Sequence, residues 1–276
     1  MLFRSDVVVL AQAARLFHHD ADYTMYSRLA EKIKAAFNSK YLDAATGSYD
    51  KGLQTELSVA LYWHLVPTPI IPKTAAVLAD RVRADSVKLD VGLLGTKTIL
   101  NALSENGYAD LAYRLASNET EPSWGWWMKN GATTLYENWP INAGSDISMN
   151  HIMFGEIGAW FYKGLGGILP DTAEPGFRHI ILHPNIIPAL DSFTATHEGP
   201  YGIIISGWRH QNGKLIYTAD IPPGSTATLI FTKPDGTMTW RELSSGKHEF
   251  DLTRPRGLSG SPMQDRRDLR RRQYGL

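Results

Sequence analysis

The chain has 276 residues, 43% of them hydrophobic and 20% charged, which is enough apolar material for one large domain or two ordinary ones. Its 28 Lys and Arg side chains are balanced by 28 Asp and Glu side chains, so no net charge draws it to nucleic acid or to an anionic membrane. It contains no cysteine, which excludes disulfide bonds and thiolate chemistry.

The N-terminal segment, MLFRSDVVVLAQAARLF, is interrupted by Arg4, Asp6 and Gln12. A secretory signal needs an uninterrupted apolar region and a small-residue cleavage site, so this segment is typical of a chain that begins inside a helix. Apolar runs fall well short of the roughly 18 residues that a membrane span needs. The histidines are scattered, and we expect neither a metal site nor a cofactor.

Residues 1–168 show the helical period. In RLAEKIKAAF, apolar residues recur every four positions at Leu29, Ile33 and Phe37. The same pattern predicts further short helices over residues 55–66, 72–84, 95–105 and 108–117. Turn residues such as Asn106-Gly107 separate them. Successive short helices with tight connections indicate antiparallel pairs, as in an α-solenoid or part of an α/α toroid.

The segment SMNHIMFGEIGAWFYKGLGG, residues 148–167, predicts one helix that is buried nearly all round, since apolar residues occupy opposite sides of it. In such a helix, Gly155 and Gly158 share a face with His151. Glycine costs about 1 kcal/mol in a helix interior. Its presence at these two positions therefore predicts open space in front of His151.

After Gly166-Gly167 the period changes from 3.6 to 2. Apolar runs over residues 177–184, 201–210, 213–222, 225–233 and 247–252 predict strands, with hairpin signals at Asn212-Gly213 and Asp235-Gly236. We therefore expect residues 169–177 to form a linker and residues 178–253 an antiparallel β-sandwich. Residues 254–276 carry seven arginines without apolar periodicity, which predicts a disordered tail, with a basic interaction tail as the alternative.

Half of the eight tryptophans lie in the stretch WGWWMKNGATTLYENWP, residues 124–140, around a single carboxylate, Glu137. A catalytic carboxylate needs a partly desolvated place beside the substrate, and aromatic faces stack well on sugar rings. The same pattern also fits an ordinary core with an exposed glutamate at a helix start. His151 has two interpretations as well: a hydrogen-bonded core histidine, or a member of a polar cluster with Glu137, Asn150 and Asp146.

Several longer motifs occur in one order over about residues 40–250: LQTELSVAL, LDVGLLGTKTILNALSENGYADLAYRLA, PSWGWW, GATTLYENW, SMNHIMFGEIGAWFYKGLGGI and PGFRHIILHP. Together they resemble the bacterial α-L-rhamnosidases of glycoside hydrolase family seventy-eight. The resemblance implies an (α/α)6 toroid followed by a β-sandwich, and hydrolysis of terminal α-L-rhamnosyl groups with inversion. The implied partner is a rhamnose-containing glycoside or oligosaccharide.

The resemblance also implies roles for single residues. Glu137, the glutamate of GATTLYENW, corresponds to the general base, and His151 of SMNH corresponds to a ligand of sugar hydroxyls. Trp126 and Trp139 fall in the aromatic wall of the site. A complete toroid has twelve helices and this sequence predicts about seven. The Asp-, Arg- and Glu-rich motif that carries the family's general acid is not found, so we expect an incomplete toroid that has the base but lacks the acid.

Two other functions stay open from the sequence. A non-catalytic carbohydrate-binding protein would keep the aromatic wall without turnover. A different toroid enzyme, such as a glucuronyl hydrolase, would need a cation near Glu137 to pair with a substrate carboxylate, and Lys129 is the nearby candidate.

Overall fold

The computed structural model describes residues 2–141, 148–232 and 237–253. The chain divides into two compact units, Met1–Glu156 and Ile157–Leu276. The predicted turn at Asp235-Gly236, Asp146 and the arginine-rich tail lie outside the described residues. The domain limits inferred from the sequence stay predictions.

The first unit is helical, as the 3.6-residue period predicts. Its helices follow in the order α1 (Leu2–Leu16), α2 (Asp20–Tyr41), α3 (Gln54–Tyr62), α4 (Ile71–Ala84), α5 (Leu93–Glu105), α6 (Ala109–Ala116) and α7 (Trp124–Lys129), with α8 (Glu156–Trp160) beginning at its end. A two-strand ribbon, β1 (Leu42–Asp43) and β2 (Ser48–Tyr49), separates α2 from α3. Among the described residues, no helix is both long and apolar enough to cross a membrane.

The helices α3 and α5 form the core of this unit. Nearly every residue from Gly95 to Ser104 is buried, so α5 is covered on all sides by its neighbours. The helix α6 buries one side only, through Leu111, Ala112 and Leu115, whose i, i+1 and i+4 spacing places them on one face. In stacked helix pairs, one helix of a pair is covered on all sides and the other faces solvent on one side, and α5 and α6 show this arrangement.

The prediction of one continuous helix over residues 148–167 is wrong. His151 has extended backbone angles, with φ −139° and ψ 133°, and a 3-10 turn follows at Ile152–Phe154. Then come the five residues of α8 and a π-helical turn at Phe161–Leu165. A Cβ on Gly155 would lie 2.9 Å from the Ile152 carbonyl oxygen, so this glycine permits the turn rather than opening space before His151.

The second unit contains two four-stranded sheets. Its strands are β3 (Ile168–Pro170), β4 (His179–Leu182), β5 (Ser192–Gly199), β6 (Gly202–Gln211), β7 (Lys214–Ile221), β8 (Thr226–Thr232), β9 (Met238–Leu243) and β10 (Gly246–Asp251). One sheet has the order β10-β7-β6-β5 and is antiparallel throughout. The other has the order β3-β4-β8-β9, in which β4 and β8 run parallel.

The hairpin signal at Asn212-Gly213 is confirmed. Both residues have positive φ, 51° and 71°, and Gln211 pairs with Lys214 across the turn. Two positive φ values define a type I′ turn, whose twist matches that of the flanking strands. The strands β3, β5 and β9 were not predicted, because β3 is only three residues long and β5 and β9 contain few large apolar side chains.

Candidate active site

Three of the four tryptophans in the stretch 124–140 form a packed core. Trp124, Trp127 and Trp139 are only 5%, 2% and 8% exposed. The ring centroid of Trp139 lies 5.3 Å from that of Trp124, 4.9 Å from that of Trp127 and 4.6 Å from that of Phe154. Such offset and edge-on contacts are the arrangements that aromatic rings prefer. The alternative of an ordinary core therefore holds for these three rings.

Each buried indole N–H in this core donates a hydrogen bond to a backbone carbonyl. Trp124 donates to Phe154 at 3.0 Å, Trp127 to Trp139 at 2.8 Å, and Trp139 to Val91 at 2.8 Å. These bonds fix the rings and also fasten three distant segments of chain to one another. Trp139 belongs to this core and lies two residues after Glu137, so the core holds the Glu137 loop in place.

Trp126 differs from the other three. It is half-buried, and its indole N–H has no hydrogen-bond partner among the described residues although the atom itself is shielded. A shielded donor without a partner costs free energy in the unbound protein. Among the described residues, no aromatic ring packs against Trp126, so of the two tryptophans predicted to bind substrate it is the less constrained.

Glu137 lies on a loop held by a reciprocal pair of hydrogen bonds. Its backbone N–H donates to the Ser148 carbonyl at 3.0 Å, and the Ser148 N–H donates to its Oε2 at 2.9 Å. The side chain is half-buried, and its Oε1 has no hydrogen-bond partner among the described residues. One carboxylate oxygen is thus fixed by the backbone, and the other remains able to accept a proton or a hydrogen bond.

His151 is carried by the segment that pairs with the Glu137 loop. Its backbone N–H donates to the Leu135 carbonyl at 2.7 Å, two residues before Glu137. Its Nδ1 accepts a hydrogen bond from the Met153 N–H at 3.1 Å. A neutral imidazole with an accepting Nδ1 carries its proton on Nε2, so Nε2 is a donor. The structure therefore places the backbones of the Glu137 and His151 loops side by side, and the polar cluster of their side chains stays a prediction.

The predicted companion Asn150 is exposed. Its backbone N–H donates to the Ser148 Oγ at 3.2 Å, and its carbonyl oxygen accepts from the same hydroxyl at 3.1 Å. Within the described ranges, no three His, Asp or Glu side chains are grouped so that they would hold a metal ion.

Sequence analysis did not single out Glu156, whose side chain holds the start of α8, just after the segment that carries His151. The Glu156 side chain is 12% exposed, accepts a hydrogen bond from the Asn101 amide at 3.1 Å and lies 3.7 Å from the Lys97 ammonium. Burial, with Glu156 as the next cause, raises the pKa of Tyr62 well above its ordinary value. A lone acid within an otherwise apolar run was the available signal, because buried charge requires a partner.

An open surface depression of about 490 Å³ adjoins the Glu137 loop. Its lining is Leu89, Asp90, Val91, Gly92, Glu121, Pro122, Asn138, Trp139 and Pro140. The last three follow Glu137 directly in the chain, although Glu137 itself does not line the depression. Trp139 is thus among the lining residues although it is only 8% exposed and its ring packs in the core.

Paired helices followed by a β unit are the order of domains in the class of α/α-hairpin glycoside hydrolases. Residues 2–165 match the family model described as the bacterial alpha-L-rhamnosidase 6 hairpin glycosidase domain, and residues 167–257 match the bacterial alpha-L-rhamnosidase C-terminal domain. The chain belongs to the bacterial α-L-rhamnosidase family.

Individual relatives agree with this assignment. The chain is 28% identical over 253 residues to an α-L-rhamnosidase of Streptomyces avermitilis and 31% identical over 211 residues to one of Formosa agariphila. These alignments cover 84% and 74% of this chain but 24% and 22% of the two relatives. The chain thus spans about a quarter of the length of the curated relatives it matches.

Solved structures show the same relation. The crystal structure of the Streptomyces avermitilis α-L-rhamnosidase complexed with L-rhamnose is similar with a TM-score of 0.81 at 27% identity, covering 91% of this chain and 26% of that one. The α-L-rhamnosidase from Dictyoglumus thermophilum gives a TM-score of 0.80 at 29% identity, over 90% of this chain and 31% of that one.

Proposed function

We propose that this chain provides the base-bearing part of a glycoside hydrolase that removes terminal α-L-rhamnosyl groups with inversion. The observation that carries the proposal is the Glu137 carboxylate, which the Ser148 N–H fixes through Oε2 on a loop paired with that of His151. This arrangement occurs in a chain that belongs to the bacterial α-L-rhamnosidase family.

Inversion requires two groups on opposite faces of the sugar. A general acid protonates the leaving oxygen, and a general base takes a proton from the water that attacks the anomeric carbon, with the two carboxyl groups about 6.5–9.5 Å apart. Glu137 is the base: Oε1 accepts the proton of the water while the Ser148 N–H stabilises the charge on Oε2. The bond from the anomeric carbon to the water oxygen forms as the bond to the leaving oxygen breaks.

His151 and the two tryptophans bind the sugar in this proposal. Because Nδ1 of His151 accepts from Met153, its Nε2–H is the group that would donate to a rhamnose hydroxyl. Trp126 supplies a ring face and an N–H that is unpaired among the described residues. Trp139, which is 8% exposed, supplies an edge and the rigidity of the core behind the loop.

The general acid is the part that we do not find in this sequence. We propose that it comes from polypeptide outside these 276 residues, and we expect the chain alone to leave an aryl α-L-rhamnoside uncleaved. The direct test is to fuse the chain to the preceding portion of the Streptomyces avermitilis relative and to follow hydrolysis. The anomer formed first, observed by proton NMR, should be β-L-rhamnose.

Glu137→Gln in this fusion keeps the shape and hydrogen bonding of the side chain but removes its basicity. General base catalysis contributes about 10²–10⁴-fold in rate, so kcat should fall by that factor with little change in KM. Glu119→Gln is the matched control, because Glu119 is exposed and its carboxylate pairs with Lys129 at the surface, at 2.5 Å. Near-normal activity of Glu137→Gln would remove Glu137 from the mechanism.

Two further variants separate the roles. Azide should restore turnover to Glu137→Ala by replacing the water, and inversion then gives a β-rhamnosyl azide. His151→Ala should raise KM or lower both constants, because it removes a sugar contact rather than the base. A retained product, the α-azide, would contradict inversion.

The structure weakens the glucuronyl hydrolase alternative. Its one sequence candidate for pairing a uronate, Lys129, lies 57% exposed at the surface against Glu119. A carbohydrate-binding protein without catalysis would bind L-rhamnose yet stay inactive in the fusion, and the hydrolysis assay distinguishes that outcome.

A further inference from the structure

The segment that carries His151 has an irregular backbone and little stability of its own. His151 is extended, with φ −139° and ψ 133°, and a single 3-10 turn follows at Ile152–Phe154. One isolated turn is unfavourable, because it fixes the dihedral angles of several residues for few hydrogen bonds. Contacts from other parts of the chain must therefore hold this turn and the imidazole before it.

Two hydrogen bonds fix the ends of this segment. The His151 N–H donates to the Leu135 carbonyl at 2.7 Å, and the Trp124 indole N–H donates to the Phe154 carbonyl at 3.0 Å. Neither bond involves the middle of the turn, where the Met153 N–H donates to the imidazole at 3.1 Å. The position of the ring therefore depends on how the turn itself is held.

A third attachment comes from Glu156, the first residue of α8. Its Oε1 accepts a hydrogen bond from the Asn101 amide at 3.1 Å, and its Oε2 lies 3.7 Å from the Lys97 ammonium. Both partners lie on α5, a core helix of the unit. The side chain of Glu156 is 12% exposed and that of Lys97 is 50% exposed. A shielded hydrogen bond to a charged group contributes more than an ion pair with an exposed ammonium, so the bond from Asn101 is the main anchor.

This anchor reaches the imidazole through a short chain of contacts. The Gly155 N–H donates to the Ile152 carbonyl at 2.9 Å, which closes the 3-10 turn directly before Glu156. Inside that turn, the Met153 N–H donates to the His151 Nδ1, which leaves the ring proton on Nε2. A shift of Glu156 therefore moves the turn, and a shift of the turn moves the ring.

Stability is a poor explanation for a carboxylate in this place. Glu156 lies in a mainly apolar run, IMFGEIGAWF, residues 152–161. Replacing a buried ion pair by apolar residues is often neutral or stabilising, whereas a fixed polar contact can specify one geometry. The carboxylate therefore fits a geometric role better than a stabilising one.

We infer that Glu156 is a positioning residue for His151. Anchored to α5 by Asn101, it fixes the turn whose Met153 N–H holds the imidazole, and so it directs the Nε2–H. The use of that N–H on a sugar hydroxyl rests on the proposed function, whereas the positioning is a property of this chain alone. Lys97 has a minor part.

A pair of conservative variants separates the reach of the side chain from its charge. Glu156→Asp keeps the charge but shortens the side chain by one carbon–carbon bond, about 1.5 Å, so the carboxylate no longer reaches Asn101. Glu156→Gln keeps the reach and an accepting oxygen but removes the charge. Lys97→Met removes the ammonium. Glu119→Asp, the same shortening at an exposed carboxylate, is the matched control.

The first measurement follows the chain alone by NMR and needs no catalysis. Hydrogen exchange of the Met153 amide reports how often its bond to the imidazole opens, and the nitrogen shifts of the His151 ring report its tautomer. Glu156→Asp should speed the exchange by about tenfold or more and add the Nδ1–H tautomer, while amides of α5 change by less than about twofold. Glu156→Gln, Lys97→Met and Glu119→Asp should leave both signals as in the unmodified chain.

Three results would count against the inference. An unchanged Met153 exchange and ring tautomer in Glu156→Asp would overturn it. Equal acceleration at Met153 and throughout α5 would overturn it too, since that pattern shows a general loss of stability. A Glu156→Gln variant that behaves like Glu156→Asp would refute the Asn101 bond as the anchor.

The second measurement uses the fusion with the preceding portion of the Streptomyces avermitilis relative. Glu156→Asp should change the same kinetic constants as His151→Ala and to a smaller extent, and it should add nothing in the His151→Ala background, because it acts through that ring. An equal loss in both backgrounds would overturn the inference. If His151→Ala left kcat and KM unchanged, the proposed sugar contact of His151 would fall, and the NMR result would still decide the positioning.

Discussion

Trp139→Phe tests whether the aromatic stretch is first of all a core. The substitution removes the indole N–H that donates to the Val91 carbonyl at 2.8 Å, and Val91 is only 7% exposed, so water does not readily replace the donor. An orphaned buried polar group costs about 1–3 kcal/mol. The smaller ring also loses contact with Trp124, Trp127 and Phe154, which costs about 1 kcal/mol more at about 0.8 kcal/mol per lost methylene equivalent.

The expected loss is therefore about 2–4 kcal/mol, in the free energy of unfolding of the helical unit. Urea unfolding followed by circular dichroism at 222 nm reports on that unit and is insensitive to the number of tryptophans. With a urea slope of about 1–3 kcal/mol per molar, the midpoint should fall by about 1 M or more.

Trp126→Phe is the matched control, because the same replacement there removes an N–H that has no partner among the described residues. It should leave the free energy of unfolding within about 0.5 kcal/mol of the original or raise it slightly, since an unsatisfied donor disappears. If both variants lost the same free energy of unfolding, ring size rather than the hydrogen bond would determine the loss. A midpoint unchanged by Trp139→Phe would refute the assignment of Trp139 to the core.

Burial raises the pKa of Tyr217 well above its ordinary value of 10.0, although the hydrogen bond with Ser206 opposes the shift. The folded chain thus keeps a proton that the unfolded chain loses, so the contribution of Tyr217 to stability is complete below pH about 10 and falls above it. Tyr217→Phe should reduce that fall by about 1.4 kcal/mol in total between melts at pH 9 and pH 11. Gln54→Leu should lower the free energy of unfolding measured in urea by about 2–4 kcal/mol, because it leaves the Lys88 carbonyl and the Asp90 N–H without their partner. A loss below about 1 kcal/mol would mean that water replaces the amide. Phe17, 69% exposed at the end of α1, belongs to a row of exposed apolar side chains with Phe3 and Leu10 at seven-residue spacing, so Phe17→Lys should reduce any self-association seen by light scattering at micromolar concentration.

Local features of the chain were within reach of the sequence. Helix and strand follow from hydrophobic periods of 3.6 and 2, which depend on neighbours a few residues apart, and the helices α4 and α5 begin and end within two residues of prediction. The Asn212-Gly213 hairpin depends on the φ preference of two adjacent residues. The family could be identified because several long motifs occur in one order, and the comparisons show it.

Tertiary structure decided the features that join distant residues. The helical period continues through residues 148–167, yet the pairing of His151 with Leu135 holds that backbone extended and breaks the helix. The parallel pairing of β4 with β8 joins strands more than 40 residues apart, which no local period reveals. Such choices depend on which carbonyl a buried N–H can reach in the folded chain.

In the candidate site, too, the sequence identified some residues and the tertiary structure decided the roles of others. Sequence singled out Glu137 and His151, because an acid among aromatic residues and a histidine in an apolar run stand out from their surroundings. Only the fold separates Trp139, locked in the core by Val91, from Trp126, whose N–H is unpaired among the described residues. The two share residue type and neighbourhood in the chain, and they differ in what packs against them, which is set by contacts from residues 48 positions away.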